Sequence, residues 1–493
     1  MEILWKSGKQ QHGDMFCSGS LTAAIFCDRQ RDGAMVLETI IPLRMVLGAE
    51  DVLSLWFWGI FFSKMLKLRS SKAKQDVEVV STKGQDFHTI QGAPADLSWR
   101  GALPCYLLPV GFCVEAVRFH LRHVSGSRAV LRLWRLLVSV FCVLPCFELM
   151  VAHDWSNPLT AQIQHGALKD LRFRMSLYFW TAAEFLTTLN FTRLACGANK
   201  LSFQKRVALS MILGFLNGGI GITVAHELLH KPRWLDKLLA HGLLTNQCYL
   251  HWADEHVTGH HQKVATPEDP ATSRKGESFY RFLPRTLLGS FRSAWQAFQE
   301  RQRRGGKAAS LGLFALRSFG PSALWAVVLA QVTRRRLKRV LPFFLLQSMV
   351  GITLLEAVNY IEHYGLQRRK LPDGKYERVT PRHSWNSAHQ LSNLILFKLQ
   401  RHSDHHTFPQ RPFQLLRNFE ESPQLPTGYF GMVLLAFFPP AFFWIMDPLV
   451  DAHNKNADED ETRVVQASAE KRFGRWALLV LAASLLAQKS VLG

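Results

Sequence analysis

Six long apolar runs divide this 493-residue chain, and they constrain its fold more than any other feature. Each run has close to the roughly 20 residues that a helix needs to cross a lipid bilayer. Polar and basic stretches separate the runs, an alternation typical of multi-span membrane proteins. The sequence therefore predicts an all-α membrane protein with six transmembrane helices. The predicted spans are Gly101–Val117, Leu131–Ala152, Ser176–Cys196, Val207–His230, Leu311–Val332 and Val340–His363.

Three further apolar stretches are less suited to crossing. Val52–Phe62 is short for a full span, and so is Trp476–Gln488. Gly428–Leu449 is long enough, but Pro439–Pro440 interrupts it, so we interpret it and Trp476–Gln488 as packed or interfacial segments. The predicted domain division is a poorly defined N-terminal extension at 1–98, a membrane domain at 99–455 and a C-terminal extension at 456–493.

The chain is strongly basic, with 59 Lys and Arg against 38 Asp and Glu. Nucleic-acid binding is one interpretation of such a charge. Because the basic residues lie between apolar runs, as in Lys263–Lys307, loops that face anionic lipids and acidic partners are the better interpretation, and no nucleic-acid partner is predicted. The positive-inside rule makes the face that carries His230 and His363 cytosolic. The basic run Arg334–Arg339 falls on the opposite face and contradicts that assignment.

Thirteen of the 20 histidines lie between His226 and His406, and nine of them form four tight clusters. A single buried histidine is usually structural. Nine at helical spacings, two sets of them at the ends of apolar runs, indicate a metal site, because ionisable groups at membrane depth are costly and usually functional. The clusters are His226–His230, Glu255–His261, Asn359–Gly365 and Leu399–His406.

Nine imidazoles are too many for one ion and suit two. The eight cysteines are scattered without a CxxC pair, so imidazole ligands for iron, zinc or copper are expected rather than thiolates. Iron that activates O2 at the inner end of an apolar helical channel would explain both the histidines and the membrane setting. Acids in the clusters are expected to orient the rings or to bridge the metals. These acids are Glu227, Asp254, Glu255, Glu362 and Asp404.

The clusters resemble the signature boxes of the AlkB-type alkane 1-monooxygenases, within the membrane fatty acid desaturase and hydroxylase superfamily. The matching segments are HELLHK (226–231), EHVTGHH (255–261), NYIEHYGL (359–366) and LQRHSDHH (399–406), with ATPEDPAT (265–272), RHSWNS (382–387) and PQLPTGY (423–429) between or after them. The NYIEHYG segment separates this family from the desaturases and the sterol-type hydroxylases. The resemblance covers residues from about 100 to 450.

The resemblance implies a six-helix membrane domain under a cytosolic di-iron site. It implies hydroxylation of the terminal carbon of medium or long alkanes, or of related alkyl chains: RH, O2, two electrons and two protons give ROH and water. Electrons would come from NAD(P)H through rubredoxin or another small carrier and its reductase, as separate proteins, since no rubredoxin-like CxxC pair is fused to the chain. The implied iron ligands are His226, His230, His256, His260, His261, His363, His402, His405 and His406.

The sequence also suggests roles for several other residues and a location for the protein. Asp269, in the PEDP turn, is either an acid that supports the site or a plain turn residue. The membrane would be the inner or plasma membrane of a bacterium, or the endoplasmic reticulum of a eukaryote. The histidines outside the boxes are expected to support the ligands or to have structural roles, and bulky residues in the spans are expected to pack in the core. These are His251, His383 and His389, and Trp134, Trp180 and Phe185.

Three rival functions follow from the same residues. A desaturase or hydroxylase of fatty acids would use a similar histidine set. A metal-binding membrane transporter or sensor would bind metal without consuming O2. A membrane zinc protease would use the HExxH pattern of His226, Glu227 and His230, although Arg233 and Asp236 break the metzincin continuation. Glu255 remains open as a third zinc ligand in that interpretation.

Overall fold

The computed structural model describes residues 77–82, 85–90, 106, 111, 144–151, 153–157, 168–197 and 201–490. They belong to one compact unit, Leu53–Gly493. The predicted segment Val52–Phe62 lies outside the described residues, as do Trp134 and most of Gly101–Val117 and of Leu131–Ala152.

Helices build the described chain from residue 144 onward. Two π-helical turns interrupt the α-helices. Leu216–Gly221 joins Phe203–Phe215 to Ile222–Leu229, and His256–His260 joins Trp252–Glu255 to His261–Lys263. In chain order the helices are α1 (Leu144–Glu148), α2 (Leu171–Ala195), α3 (Phe203–Phe215), α4 (Ile222–Leu229), α5 (Trp234–Asn246), α6 (Trp252–Glu255), α7 (His261–Lys263), α8 (Phe279–Arg304), α9 (Leu311–Val332), α10 (Leu337–His363), α11 (Gln390–Ile395), α12 (His402–Thr407), α13 (Tyr429–Ala436), α14 (Pro439–Asn454) and α15 (Glu459–Ser490). Short 3-10 turns lie at Pro381–His383 and Phe413–Leu415.

One β-hairpin corrects the all-α expectation. β1 (Val77–Thr82) pairs antiparallel with β2 (Gln85–Ile90), in a register that places Val77 opposite Ile90. Both strands contain β-branched residues, which favour extended backbone. The hairpin lies in the segment predicted as the N-terminal extension.

Three described helical segments are long and apolar enough to cross a membrane: Phe203–Leu229, Leu311–Val332 and Leu337–His363. They correspond to the fourth, fifth and sixth predicted spans. The third predicted span, Ser176–Cys196, corresponds to α2, which is 25 residues long. This helix carries several charged side chains, Glu184 among them, and is not apolar enough to count as a candidate span. The six-span topology therefore stays a prediction.

Two of these segments cross with their backbones in close contact. A Cβ atom on Gly218 would lie 2.2 Å from Cα of Gly351, so glycine is required where the π-helical turn meets α10. From this crossing both segments continue toward their C-terminal ends. The close crossing thereby brings His226 and His230 of one segment to the same end as His363 of the other.

Glu184 is a buried acid between the helices, and both of its oxygens are paired. The two carboxylate oxygens of Glu184 accept hydrogen bonds from Nε1 of Trp180 (3.0 Å) and Nδ2 of Asn246 (2.9 Å). Such pairing is needed where no water can satisfy a polar group. The ring of Phe185 packs edge-on against Trp325 at 5.3 Å. Trp180 and Phe185 thus have the packing positions expected of them.

The basic run Arg334–Arg339 interacts with the end of a neighbouring helix. Nε of Arg335 donates to the carbonyl of Arg193 (3.1 Å), and a guanidinium nitrogen of Arg339 donates to the carbonyl of Gly197 (3.2 Å). The C-terminal end of α2 carries partial negative charge and unpaired carbonyls, which attract cations. The run therefore has a structural role that does not depend on membrane orientation.

Candidate metal centre

Nine histidines from four separate segments meet in two adjacent groups. Within each group, the ring nitrogens that would face a metal all lie within 4.8 Å of one another. The five-histidine group consists of His226, His230, His256, His261 and His405. The four-histidine group consists of His260, His363, His402 and His406.

The first cluster contributes both of its histidines to the five-histidine group. His226 lies in the last turn of α4, and His230 follows directly as the capping residue of that helix. Residues four apart lie one above the other on an α-helix, so both rings point the same way, as the sequence predicts.

The second cluster is divided between the groups by a π-helical turn. The sequence predicts His256, His260 and His261 on one helical face, and this is wrong. The backbone N–H of His261 bonds to the carbonyl of His256, five residues earlier, which is the π-helical pattern. Residues 256 and 261 consequently share the five-histidine group, while His260 faces the four-histidine group.

The fourth cluster is divided as well. α12 is an ordinary α-helical segment, and His402 and His406, four residues apart, both belong to the four-histidine group. His405 projects in a different direction and joins the five-histidine group. His363, the last residue of α10, completes the four-histidine group.

Protons alone do not explain the contacts in the four-histidine group. Nε2 of His402 lies 3.3 Å from Nε2 of His363 and 2.9 Å from Nε2 of His406. A ring nitrogen carries at most one proton, so at most one of these contacts at a time is a hydrogen bond donated by His402. Nε2 of His260 is buried and has no hydrogen-bond partner among the described residues. One cation at the centre would give all four nitrogens a partner.

The five-histidine group fits a cation for the same reason. Nε2 of His261 lies 3.1 Å from Nε2 of His256 and 3.2 Å from Nε2 of His405. The Nε2 atoms of His226 and His230 are buried, and the part of the chain that the structure describes offers them no hydrogen-bond partner. Buried polar atoms in a folded protein are normally satisfied, so these orphaned nitrogens are a signature of a metal site.

Five of the imidazoles that lie outside the predicted spans have surroundings that favour the neutral form. Burial holds the pKa of each of these imidazoles well below its ordinary value, and neighbouring histidines lower it further. At neutral pH the rings are therefore neutral and keep a lone pair, the form that binds metals. The rings concerned are His256, His261, His402, His405 and His406.

Asp269 lies behind the metal-facing side of His260. Nδ1 of His260 is 2.8 Å from Oδ2 of Asp269, which also accepts the hydroxyl of Thr272 at 2.6 Å. Burial raises the pKa of Asp269, but His260, the Thr272 hydroxyl and His363 together bring it below its ordinary value, so the acid is ionised. Its charge favours the proton on Nδ1 and leaves the Nε2 lone pair free for a metal.

The other predicted acids occupy different environments. Glu362 lies within 3.2 Å of Nε2 of His402, and its second oxygen accepts the hydroxyl of Tyr429. Tyr429 was not assigned from sequence, since nothing in its spacing relates it to a histidine cluster. The remaining acids have side-chain partners other than the histidines: Lys231 for Glu227, Arg301 for Asp254, Ser293 for Glu255 and Arg411 for Asp404.

One family model and several known proteins are similar to this chain. Residues 206–436 match the fatty acid desaturase family model. The chain is 40% identical over 322 residues to an alkane 1-monooxygenase of Acinetobacter baylyi, covering 65% of this chain and 77% of that protein. It is 38% identical over 332 residues to alkane 1-monooxygenase 2 of Pseudomonas aeruginosa, covering 65% and 84%. The chain belongs to the alkane 1-monooxygenase family. A more distant relative is the hydroxylase component of xylene/toluene monooxygenase from Pseudomonas putida, 26% identical over 275 residues.

Membership in the alkane 1-monooxygenase family and the site geometry both disfavour the zinc-protease interpretation. His226 and His230 share their group with three more histidines rather than with one further ligand. Oε1 of Glu227 accepts from Nζ of Lys231 (2.8 Å) and from the backbone N–H of Phe413 (3.0 Å), so this oxygen already has two partners within the protein. The protein is a monooxygenase of the membrane, with desaturase-like histidine boxes.

Both groups exclude three histidines near the clusters, His251, His383 and His389. His251 is surrounded by aromatic rings, with Tyr249 at 4.8 Å and Phe291 at 5.5 Å between centroids. His383 caps a short 3-10 turn. His389 faces His153, with 3.2 Å between their Nε2 atoms. The expectation that His251, His383 and His389 are not ligands agrees with these positions.

Replacing Asp269 with Asn should weaken one metal site selectively. The amide can still accept from Nδ1 of His260, but it lacks the negative charge, and changes of this kind typically lower metal affinity about 10–100-fold. Iron retained per chain during titration with a chelator measures the effect. Asp373→Asn, at an exposed turn, is the control. Equal retention by both variants would show that Asp269 does not support the metal.

Proposed function

We propose that the protein hydroxylates the terminal carbon of medium- or long-chain alkanes, or of related alkyl chains, to primary alcohols at a di-iron centre. The observation that carries the proposal is the division of nine histidines into groups of five and four, at one end of two apolar helices. The names of the relatives, alkane 1-monooxygenase, supply the substrate class. An all-nitrogen donor set without thiolates suits non-haem iron.

Two irons, when bound, would supply the O2 chemistry that replaces a terminal C–H bond by C–OH. The residues of this chain contribute position, charge and exclusion of water. The nine histidines would hold the ions as neutral imidazoles. Asp269 holds a proton on the outer nitrogen of His260. Most of the ligand rings are buried, which keeps bulk water from the reacting atoms.

Electrons would reach the site from NAD(P)H through a reductase and a separate carrier, rubredoxin or a similar small protein. A cleft of about 380 Å³ beside the second histidine cluster supports this. Lys263, Arg274, Arg285 and Arg292 line it, with Glu268. Of these cations only Arg285 forms an ion pair within the described part of the chain, so the cleft keeps a positive charge that suits an acidic carrier.

Arg292→Glu should therefore weaken the interaction with an acidic carrier. Arg292 is exposed at the cleft, and charge reversal there should raise the KM for the carrier about tenfold at low ionic strength, with kcat nearly unchanged. Steady-state turnover at varied carrier concentration and salt measures it. Arg281→Glu, exposed on the same helix but outside the cleft, should have little effect. An equal change in both variants would assign the effect to net charge alone.

The membrane arrangement is proposed on the same grounds. The protein would have six spans, with the di-iron site on the cytosolic face, in the inner or plasma membrane of a bacterium or in the endoplasmic reticulum of a eukaryote. Residues 99–455 would form the monooxygenase domain between two extensions. The curated relatives match about two thirds of the chain, in support of flanking segments that are peculiar to it.

The decisive experiment measures metal content and turnover on one membrane preparation. Iron is quantified per chain, and octane or hexadecane is supplied with NADH, rubredoxin and its reductase. About two irons and a primary alcohol would support the proposal. Two irons and a product only from a fatty-acyl substrate would favour the desaturase or hydroxylase alternative, which the match to the desaturase family model suggests. Bound metal without O2 uptake would favour a transporter or sensor and overturn the proposal.

A further inference from the structure

Glu362 is the acid closest to the metal-facing side of the histidines. It precedes His363 at the end of α10 and is almost completely buried. One carboxylate oxygen accepts the hydroxyl of Tyr429 at 2.8 Å. The other lies 3.2 Å from Nε2 of His402, the nitrogen that also faces His363 and His406.

The spacing around His402 is that of ligands on a common ion. Two donors that each lie about 2.1 Å from a metal, at right angles, are about 3.0 Å apart. The distances from Nε2 of His402 to His406, Glu362 and His363 are 2.9, 3.2 and 3.3 Å. A single proton on that nitrogen can satisfy only one of the three neighbours. The carboxylate oxygen thus occupies a position equivalent to that of the ring nitrogens.

Charge also favours a carboxylate at this point. Four neutral imidazoles around a divalent cation leave its charge uncompensated in a buried site, which is costly. Asp269 contacts the outer nitrogen of His260, and the Asp404 carboxylate pairs with Arg411. Among the acids of the histidine clusters within the described residues, Glu362 is the one with an oxygen beside a metal-facing nitrogen.

We propose that Glu362 is a carboxylate ligand of the metal held by the four-histidine group, and that Tyr429 orients it. The four-histidine centre then has five protein donors, the same number as its neighbour, but with an anion among them. This rests on the proposed function only in requiring that the group binds a metal. It makes the two centres chemically unequal, since the donors in the five-histidine group are all neutral.

The test compares three variants of the full-length protein in detergent or membranes, purified and loaded with iron-57. Glu362→Gln removes the anionic donor at nearly constant volume. Tyr429→Phe removes only the hydroxyl that orients it. The control is Glu356→Gln, a buried acid on the same helix that accepts from Tyr249 and Thr286 instead of facing the histidines. The readouts are iron per chain after chelator challenge and the Mössbauer spectrum.

Glu362→Gln should lower the iron content from about two to about one per chain and remove one of two spectral components. Tyr429→Phe should retain two irons, with one component shifted and its iron released at about tenfold lower chelator concentration. Glu356→Gln should match the wild type. Wild-type iron content and spectra in both Glu362→Gln and Tyr429→Phe would overturn the proposal. Should Glu362→Gln not fold, an unshifted spectrum in Tyr429→Phe alone would do so. A wild type with two irons but no alkane turnover would defeat only the proposed function.

Discussion

His405→Ala and His406→Ala are each expected to remove one metal ion, but from different centres. The two residues are adjacent in the chain, yet His405 belongs to the five-histidine group and His406 to the four-histidine group. Loss of a ligand should exceed the 10–100-fold loss of affinity typical of outer residues, so each variant should keep about one iron and lose hydroxylase activity by at least about 100-fold. Iron-57 Mössbauer spectra should lose complementary components in the two variants.

His251→Phe serves as the control for these variants. His251 is buried among aromatic rings outside both groups, so phenylalanine should fit and leave two irons and near-normal activity. The assignment of His405 and His406 to different metal centres would be contradicted if both variants lost the same spectral component. It would also be contradicted if either variant kept both irons.

Arg401→Met is expected to destabilise the protein by about 3–5 kcal/mol, because it leaves a partly buried ion-pair partner and several carbonyls unpaired. The side chain is fully buried beside the metal-site residue His402. It donates to the carboxylate of Asp154 (2.9 Å) and to the carbonyls of Ser156 (2.8 Å) and Leu416 (2.7 Å). The free energy of unfolding, measured by denaturant titration in detergent micelles, tests this.

The matched control is Arg339→Met, an exposed arginine that donates to a single carbonyl, with an expected change of about 0.5 kcal/mol or less. The pH dependence provides a second readout. Burial raises the pKa of Asp154, but Arg401, Lys398 and the hydrogen bonds from Ser156 together bring it below its ordinary value. The stability from this pair is therefore present at neutral pH and is lost as the pH falls below about 4. Arg401→Met should show a smaller loss of stability at acidic pH, and an unchanged loss would contradict the role of Arg401.

The helical architecture from the fourth span onward follows from local sequence. The runs that begin at Val207, Leu311 and Val340 are apolar over enough length to cross a bilayer, and each lies in a long helical segment. The Pro439–Pro440 pair ends one helix and begins the next, since proline lacks the N–H that a continuing helix requires. The β-hairpin at Val77–Ile90 was not anticipated, because a short run of β-branched residues carries a weak signal.

The sequence by itself determined which residues meet at the candidate metal centre: nine histidines in four clusters, two of them at the ends of apolar runs. Only the tertiary structure decided which histidine belongs to which group. Helical periodicity predicts that His256 and His260 share a face, but the π-helical turn pairs His256 with His261 instead. Partners such as Asp269 for His260 and Tyr429 for Glu362 depend on packing between distant segments, because chain spacing constrains only side chains that share an element.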